Sequence, residues 1–213
     1  MDWNGTVVNT LDKTINGKDN ANYPPSANNA SKTALTWRKY LDEQYANGIW
    51  NTNACPIVIR YAEVLLTYAE AVNELSGPSA DVYDKLDLIR GRVGMPKVDR
   101  EKYASKETLR RLIRRERGVE LAGEGVRRAD ILRWKDDNGK MVAETVLNGV
   151  LERVVGTVNY AETDPTKRAE IDTNAPATDK KIEDRVFKVH NRYNPIPQGA
   201  IDNNPNLEQN PGY

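Results

Sequence analysis

The sequence has little of several residue types, and each shortage excludes a class of protein. It has a single cysteine, so an intrachain disulfide is impossible. The single histidine, His190, has no neighbouring serine or cysteine pattern, which argues against a Ser-His or Cys-His catalytic triad. Lysine plus arginine and aspartate plus glutamate both total 31, so no net field favours a nucleic acid or an anionic membrane. No apolar run approaches the roughly 20 residues of a membrane-spanning helix.

The first residues, Met-Asp-Trp-Asn-Gly, carry no secretion or lipid-attachment signal. A charged region, an apolar core and a lipobox-like cysteine are all missing. We therefore expect either a cytoplasmic protein or an internal fragment whose targeting segment has been cut away.

Residues 1–55 are rich in asparagine, threonine, lysine and glycine, and this composition predicts mostly loop. Short extended pieces are predicted at Thr6–Thr10 and Leu35–Leu41. So few apolar residues cannot form a core of their own. We expect this loop-rich segment to pack on the helical body formed by residues 56–213, within a single domain.

The next stretch predicts a long helix. Pro56 suits a first helical turn, and Gly77-Pro78 suits a helix end. Polar residues recur at steps of three and four and form one narrow stripe, which consists of Arg60, Glu63, Thr67, Glu70 and Glu74. The remaining positions are mostly apolar, so the pattern predicts a helix that is buried on most sides.

Further helices follow in quick succession. Ser79 can cap a second helix that ends at Gly94, and the short connection between the two predicts an antiparallel hairpin of about one tetratricopeptide-type unit, ~34 residues. Ser105 opens a third helix, Val126–Trp134 a fourth and Met141–Leu147 a fifth. The fold class is therefore all-α, mainly helical, with tetratricopeptide-like hairpins, long ordered loops and a few short strands.

The last part of the chain predicts extended structure. Val150–Tyr160 looks extended, residues 161–184 look like a charged loop, and Arg185–Val189 suits a short strand. The tail Tyr193–Tyr213 holds four prolines, three of them after asparagine, which argues against a helix. Its spaced apolar residues, Tyr193, Ile196, Ile201, Leu207 and Tyr213, predict an ordered, extended strap laid across the helical body.

One pair of carboxylates could carry chemistry. Glu116 and Glu120 lie one helical turn apart, a spacing that suits an acid and a base, as in a glycosidase, or a metal site. Many arginines lie nearby in sequence, among them Arg90 and Arg133, and Arg–carboxylate pairs satisfy both charges. We favour structural ion pairs and no catalysis, with no cofactor and no metal.

The aromatic residues of the first third are the candidates for ligand binding. Tyr45 and Trp50 stand among amide and hydroxyl side chains, and Trp37 precedes them. An aromatic ring can stack on the C–H face of a sugar while amides bond its hydroxyls. The alternative is that the rings cover the helical core. The two readings are balanced for Trp50, and the second is favoured for Trp37.

Three blocks of the sequence resemble the C-terminal part of the SusD/RagB family of outer-membrane nutrient-binding lipoproteins. The first block runs from Ile59 to Glu74 and continues from Leu88 to Pro96. The second runs from Ile113 to Trp134, and the third is the tail, from Asn194 to Gln198 and from Asn204 to Tyr213. They occur in the family's order.

The resemblance implies a tetratricopeptide-like superhelix and a non-catalytic protein exposed on the outer membrane. It implies a lipid anchor, absent from this chain, as the sole membrane contact. The implied partners are a SusC-like TonB-dependent transporter and a glycan, or a peptide in some members. The alternative function is a helical scaffold that contacts only protein, such as the transporter.

Overall fold

The chain divides into two units: one is helical, and the other contains the strands that the structure describes. The computed structural model describes residues 2–3, 6–7, 9–24, 31–37, 39–40, 55, 57–164 and 166–213. The helical unit is Cys55–Ile131, and the other unit combines Met1–Ala54 with Leu132–Tyr213. The predicted organisation, a segment 1–55 packed on a helical domain 56–213, stays a prediction.

Four helices follow one another in and at the end of the helical unit. They are α1 (Tyr61–Ser76), α2 (Ala80–Arg92), α3 (Lys106–Glu120) and α4 (Arg127–Arg133). Helix α1 packs against both α2 and α3. The predicted mainly helical fold with tetratricopeptide-like hairpins is confirmed.

The predicted helix ends are confirmed where a local cap dictates them. The Ser79 hydroxyl accepts from the Val82 amide at 3.3 Å, which fixes the start of α2. At α3, Ser105 and Thr108 exchange hydrogen bonds through their hydroxyls and amides, both at 3.2 Å. Gly77 has a φ of 78° directly after α1, a conformation that glycine adopts without strain.

The predicted start of α1 at Pro56 is wrong. Arg60 is extended, with φ −133° and ψ 160°, and the helix begins at Tyr61. The three β-branched residues at 57–59 favour extended backbone over helix. The Arg60 side chain is also held by acidic residues at the end of α3, as described below.

The core of the helical unit lies on one side of α1. The α1 residues Leu65, Leu66 and Ala69 pack with buried side chains of α2, α3 and the connecting loops. Another side of α1 carries an outer α1 stripe of exposed residues, defined here as Tyr61, Val64, Tyr68 and Leu75, which are 44–85% exposed. Burial on most sides was therefore a wrong prediction within the described residues, because these four positions of α1 face solvent.

The polar stripe of α1 faces α3. Successive positions along α1 meet positions that run backwards along α3, as two antiparallel helices require. The pairs are Arg60–Glu120 at 2.6 Å, Thr67–Arg117 at 3.0 Å and Glu74–Arg110 at 2.5 Å. We call this row of pairs the α1–α3 polar seam. The sequence shows its α1 residues as a stripe, but it does not show which α3 residues they contact.

Arg117 is the most deeply buried member of the seam. Its side chain is 4% exposed, and its Nε and Nη2 donate to the two carboxylate oxygens of Asp130 at 3.0 and 3.1 Å. Its Nε also lies 3.6 Å from a carboxylate oxygen of Glu70. A fork-to-fork pair of this kind satisfies a charge that would be costly to bury alone. Arg117 thus links α1, α3 and α4.

The second unit is built from two-stranded antiparallel ribbons and short helices. Its ribbons pair β1 with β2, β3 with β4, β5 with β8 and β6 with β7. The strands are β1 (Asp2–Trp3), β2 (Thr6–Val7), β3 (Thr14–Ile15), β4 (Lys18–Asp19), β5 (Gly149–Glu152), β6 (Gly156–Val158), β7 (Ala169–Ile171) and β8 (Lys181–Arg185). The helices are α5 (Val142–Val146), α6 (Ala177–Lys180), a 3₁₀ helix (Val189–Arg192) and α7 (Gln198–Asn203).

Buried asparagine amides order the N-terminal part of this unit. The Asn9 amide donates to Asp12 at 2.6 Å and to the Tyr160 hydroxyl at 2.7 Å. The Asn20 amide donates to the Asn9 and Asp12 carbonyls, both at 2.8 Å. In a segment with few apolar residues, these hydrogen bonds hold the backbone in place where a hydrophobic core would otherwise do so. They also tie the segment to a residue more than a hundred positions away.

Several predicted strands are placed differently in this unit. Extended structure at 150–160 is confirmed by β5 and β6, and the helix at 141–147 by α5. The strand predicted at Thr6–Thr10 stops at Val7, and residues 35–37 of the strand predicted at Leu35–Leu41 are not in a strand. The strand predicted at Arg185–Val189 is wrong, because β8 ends at Arg185. The predicted loop 161–184 contains β7, α6 and most of β8, whose largely exposed residues give no alternating pattern.

The tail is largely non-helical but contains α7, which corrects the prediction that it holds no helix. Proline disrupts a helix interior, but Pro197 stands before the first turn of α7, where it is tolerated. The strap is closed on itself: Gln209 exchanges hydrogen bonds with the Ile196 backbone at 2.8 and 2.9 Å. Its predicted anchors are half-buried or exposed. Among the described helices, none is long and apolar enough to cross a membrane.

We predict that Arg117→Gln lowers the free energy of unfolding by about 3–5 kcal/mol, because Asp130 would keep a buried charge without its guanidinium. Urea unfolding followed by circular dichroism measures the change. Arg100→Gln is the matched control: Arg100 is half-exposed in its pair with Asp84, so its loss should cost about 1 kcal/mol or less. Equal losses in the two variants would contradict the proposed weight of the buried pair.

We also predict a pH dependence from the end of the seam. Arg110 donates to both oxygens of Glu74, at 2.5 and 2.7 Å, and these bonds lower the pKa of the Glu74 carboxyl below 4.5. The pair therefore stabilises the fold above that pH, and the contribution is lost as the pH falls through the lowered pKa. The stability gap between the parent and Glu74→Gln should close below about pH 4.5. A gap that stays constant down to pH 3 would exclude this linkage.

Candidate functional site

Of the three aromatic residues predicted to bind a ligand, the structure describes Trp37. Tyr45 and Trp50 lie outside the described residues and stay predictions. The Trp37 residue is 52% exposed. More than half of its surface faces solvent, and its role, in ligand binding or as a cover of the helical core, stays a prediction.

The segment before Trp37 is held in place by backbone contacts. Ala34 is buried and has a φ of 61°, which is unusual for a residue with a side chain. Its carbonyl accepts from the Thr10 hydroxyl at 2.7 Å, and the neighbouring Thr33 carbonyl accepts from the Val154 amide at 3.0 Å. Trp37 thus follows three residues after a fixed point in the chain.

Two further exposed apolar side chains stand near Trp37 in sequence. Leu35 and Tyr40 are both exposed, and with Trp37 they form what we call the exposed N-terminal patch. The Lys39 ammonium lies 5.8 Å from the centre of the Tyr40 ring. A flat ring, a phenol and an ammonium in one short stretch offer both apolar and hydrogen-bonding contacts to a sugar.

The same unit contains a cavity of about 440 Å³ with a mixed polar and apolar lining. Lys32, Thr178 and Asp179 contribute polar groups to its lining, and Arg153 forms part of its wall. The Arg153 guanidinium lies 5.4 Å from the centre of the Tyr23 ring and donates to the Asp179 carbonyl. Cavities of roughly 300–1,000 Å³ accommodate small ligands.

Sequence reasoning did not assign a role to this cavity. In the sequence Tyr23 precedes two prolines, a pattern typical of a turn. Arg153 stands more than a hundred residues away, and no local pattern connects the two. The aromatic ring of Tyr23 could have been noted from the sequence. Its contact with Arg153 could be known only from the folded structure.

Glu116 and Glu120, the predicted ion-pair residues, both lie against arginines in the helical unit. Arg90 Nη1 donates to Glu116 at 2.5 Å. Glu120 accepts from Arg92 Nη2 at 2.8 Å as well as from Arg60. Both carboxylates are largely buried and lie against arginine side chains, which is the arrangement expected of structural ion pairs.

Arg60 contacts two acidic side chains, which changes its pKa. Arg60 Nε donates to Glu124 at 2.7 Å, and this bond, together with the one to Glu120, raises the pKa of Arg60 above its ordinary value. Arg133, the other arginine predicted to pair, lies with its guanidinium 5.2 Å from the centre of the Trp134 ring. Its predicted pairing with Glu116 or Glu120 stays a prediction.

Among the described residues we find neither a cluster of metal ligands nor a histidine beside a nucleophile. Across them, no group of three or more His, Cys, Asp or Glu side chains is placed to hold a metal ion. His190 packs edge-on against the Tyr213 ring, with the ring centres 4.9 Å apart. The ring closes the end of the tail and stands beside no described serine or cysteine nucleophile.

The chain is similar to SusD-like proteins in sequence and in fold. The model of the SusD family matches residues 2–213. SusD-like protein P25 of Formosa agariphila is 34% identical over 143 residues, which cover 62% of this chain and 27% of that protein. A solved SusD-like protein of Bacteroides fragilis superposes with a TM-score of 0.55 at 28% identity, over 74% of this chain and 26% of its own.

The chain thus spans about a quarter of the length of these relatives. Proteins of the family in general bind glycans for uptake, are generally non-catalytic and are generally lipoproteins of the outer-membrane surface. The resemblance of the three sequence blocks is confirmed. With a family match from residue 2 to residue 213, this chain belongs to the SusD family.

Proposed function

We propose that this chain belongs to a surface glycan-binding component that captures oligosaccharide or polysaccharide for a SusC-like TonB-dependent transporter. In this proposal the protein sits at the outer membrane through a lipid anchor. The observation that carries it is the exposed Trp37 ring on an anchored segment in a SusD family chain.

The exposed N-terminal patch suits this task physically. An exposed indole offers a flat apolar face at little entropic cost, because few of its bonds rotate. The Thr10 and Val154 contacts hold the backbone just before it, so less order has to be created on binding. A shallow surface site of this kind should bind with a dissociation constant of roughly micromolar to millimolar.

We predict that Trp37→Ala weakens binding of a soluble polysaccharide by roughly two- to tenfold, because stacking on the ring contributes about 0.5–1.5 kcal/mol. Titration calorimetry against a panel of neutral polysaccharides measures the affinity. The melting temperature should stay unchanged, because the ring is more than half exposed. Trp50→Ala tests the second predicted ring in the same way.

Tyr193→Ala is the matched control for this experiment. Tyr193 is a similarly exposed aromatic residue in the tail, so its loss removes a ring without touching the patch. Its affinity should equal that of the parent. If Trp37→Ala and Trp50→Ala both bind like the parent, recognition lies elsewhere and the proposed site is wrong.

We further propose that the chain has no hydrolytic activity. Glu116→Gln and Glu120→Gln should each lower the free energy of unfolding by about 1–3 kcal/mol, because a largely buried arginine loses a charged partner. Glu107→Gln, an exposed acid in the first turn of α3, is the control and should change it by no more than about 0.5 kcal/mol. Release of reducing sugar by the parent, abolished by either variant at unaltered stability, would overturn this proposal.

A protein-interaction scaffold is the second candidate, and the outer α1 stripe favours it. Exposed large apolar residues along one helix face mark interaction surfaces in many proteins. They border a groove of about 380 Å³ lined by Ile59, Val64 and Tyr68. In this alternative the chain contacts the transporter or an apolar peptide through α1. The absence of glycan binding, with binding to the isolated transporter abolished by Val64→Asp, would favour it.

A further inference from the structure

The helical unit contains a second cavity, of about 440 Å³, that the proposed glycan site does not use. It lies between the loop that follows α2 and the second half of α3. Its lining includes Val98 and Leu112, which are buried and apolar, and Tyr103. The volume lies within the range of roughly 300–1,000 Å³ that is typical of small-ligand sites.

Hydrogen bonds hold the wall of this cavity in shape. Arg90 Nε donates to the Pro96 carbonyl at 2.7 Å, while its Nη1 binds Glu116 at 2.5 Å. The Val98 amide donates to Asp87 at 2.7 Å. The loop is therefore fastened to α2 at two points and to α3 through Arg90. A cavity with fixed walls needs little rearrangement to receive a ligand.

The cavity has an excess of positive charge. Lys97, Lys102 and Arg115 line it, and within the described part of the chain none of the three pairs with a carboxylate. Its two acidic side chains are already satisfied. Asp99 accepts from the backbone amides of residues 101 and 102 at 3.1 and 3.0 Å, and Glu116 pairs with Arg90.

The chemistry of the lining selects a ligand with two properties. An arginine fork and two ammonium groups favour an oxyanion, and a guanidinium matches a carboxylate or sulfate with two parallel hydrogen bonds. The apolar floor of Val98 and Leu112 favours a ligand that also carries C–H surface. A sugar with an acidic substituent has both properties.

We propose that this cavity binds the acidic group of an anionic sugar, a uronate carboxylate or a sugar sulfate, with Arg115 and Lys97 as the principal partners. The sugar part of this inference rests on the proposed function. The anion part rests on the cavity alone. It makes the helical unit a contributor to glycan selection, separate from the exposed N-terminal patch.

Nuclear magnetic resonance of the ¹⁵N-labelled chain tests the proposal. Trigalacturonate and a sulfated galactose trisaccharide represent the two sources of the anion, and maltotriose is the neutral probe. At least one acidic probe should cause saturable shifts of the Val98, Tyr103 and Leu112 amides, and the stronger of the two identifies the source. Equal shifts with maltotriose, or no shifts with either acid, would overturn the proposal.

A pair of variants separates this site from a general attraction of anions. The double variant Arg115→Gln, Lys97→Gln should weaken binding of the responding acidic probe at least tenfold. Arg111→Gln removes one positive charge one turn earlier on α3, outside the cavity lining, and should bind within about twofold of the parent, as a control for the Arg115 part of the double variant. Equal binding by the double variant and the parent would exclude the assigned residues.

Two further arms distinguish the failure of this inference from that of the proposed function. Trp37→Ala should leave the cavity shifts unchanged, because Trp37 does not line the cavity. Loss of the shifts in that variant would contradict a separate site. Inorganic sulfate should bind more weakly than the responding trisaccharide. Sulfate binding of equal strength would reduce the site to one for simple anions and overturn the sugar assignment.

Discussion

The buried guanidinium of Arg117 is the constraint on which the helical unit depends. An ion in a protein interior is tolerated when its partners are well placed, so α1 and α4 must present Thr67 and Asp130 at fixed positions. The apolar core of Leu66, Leu86 and Leu109 supplies most of the driving force for packing these helices. Apolar contacts allow one helix to slide along another, whereas the bidentate ion pair between Arg117 and Asp130 does not. The polar seam therefore sets the register of the antiparallel helices.

The difference between local interactions and contacts across helices explains which features could be predicted from the sequence. Helix ends at Ser79, Ser105 and Gly77 depend on neighbouring residues, and they were predictable. The stripe from Arg60 to Glu74 was also visible, because helical periodicity is local. The partners of the stripe were not predictable, because each stands tens of residues away along the chain. A polar stripe between apolar faces looks the same in sequence whether it faces water or a second helix.

The candidate sites follow the same logic. Trp37 was recognised by residue type, but its exposure depends on how Ala34 and Thr33 are tied to distant segments. The α2–α3 cavity left no sequence signal, since Lys97 and Arg115 belong to different elements and become neighbours only through the fold. In both places the chemistry was readable from single residues. The geometry that makes the chemistry useful was not.

The asparagine network around Asn9 and Asn20 has a thermal consequence. Unfolding of an apolar core raises the heat capacity by about 0.45 cal/K/mol per Å² exposed, whereas exposure of polar surface lowers it by about 0.26. A segment ordered by amides should therefore unfold with a small heat-capacity change. Its stability would vary almost linearly with temperature, with little of the curvature that leads to cold denaturation. The N-terminal part of this chain and the leucine-rich helices are thus expected to respond differently to cooling.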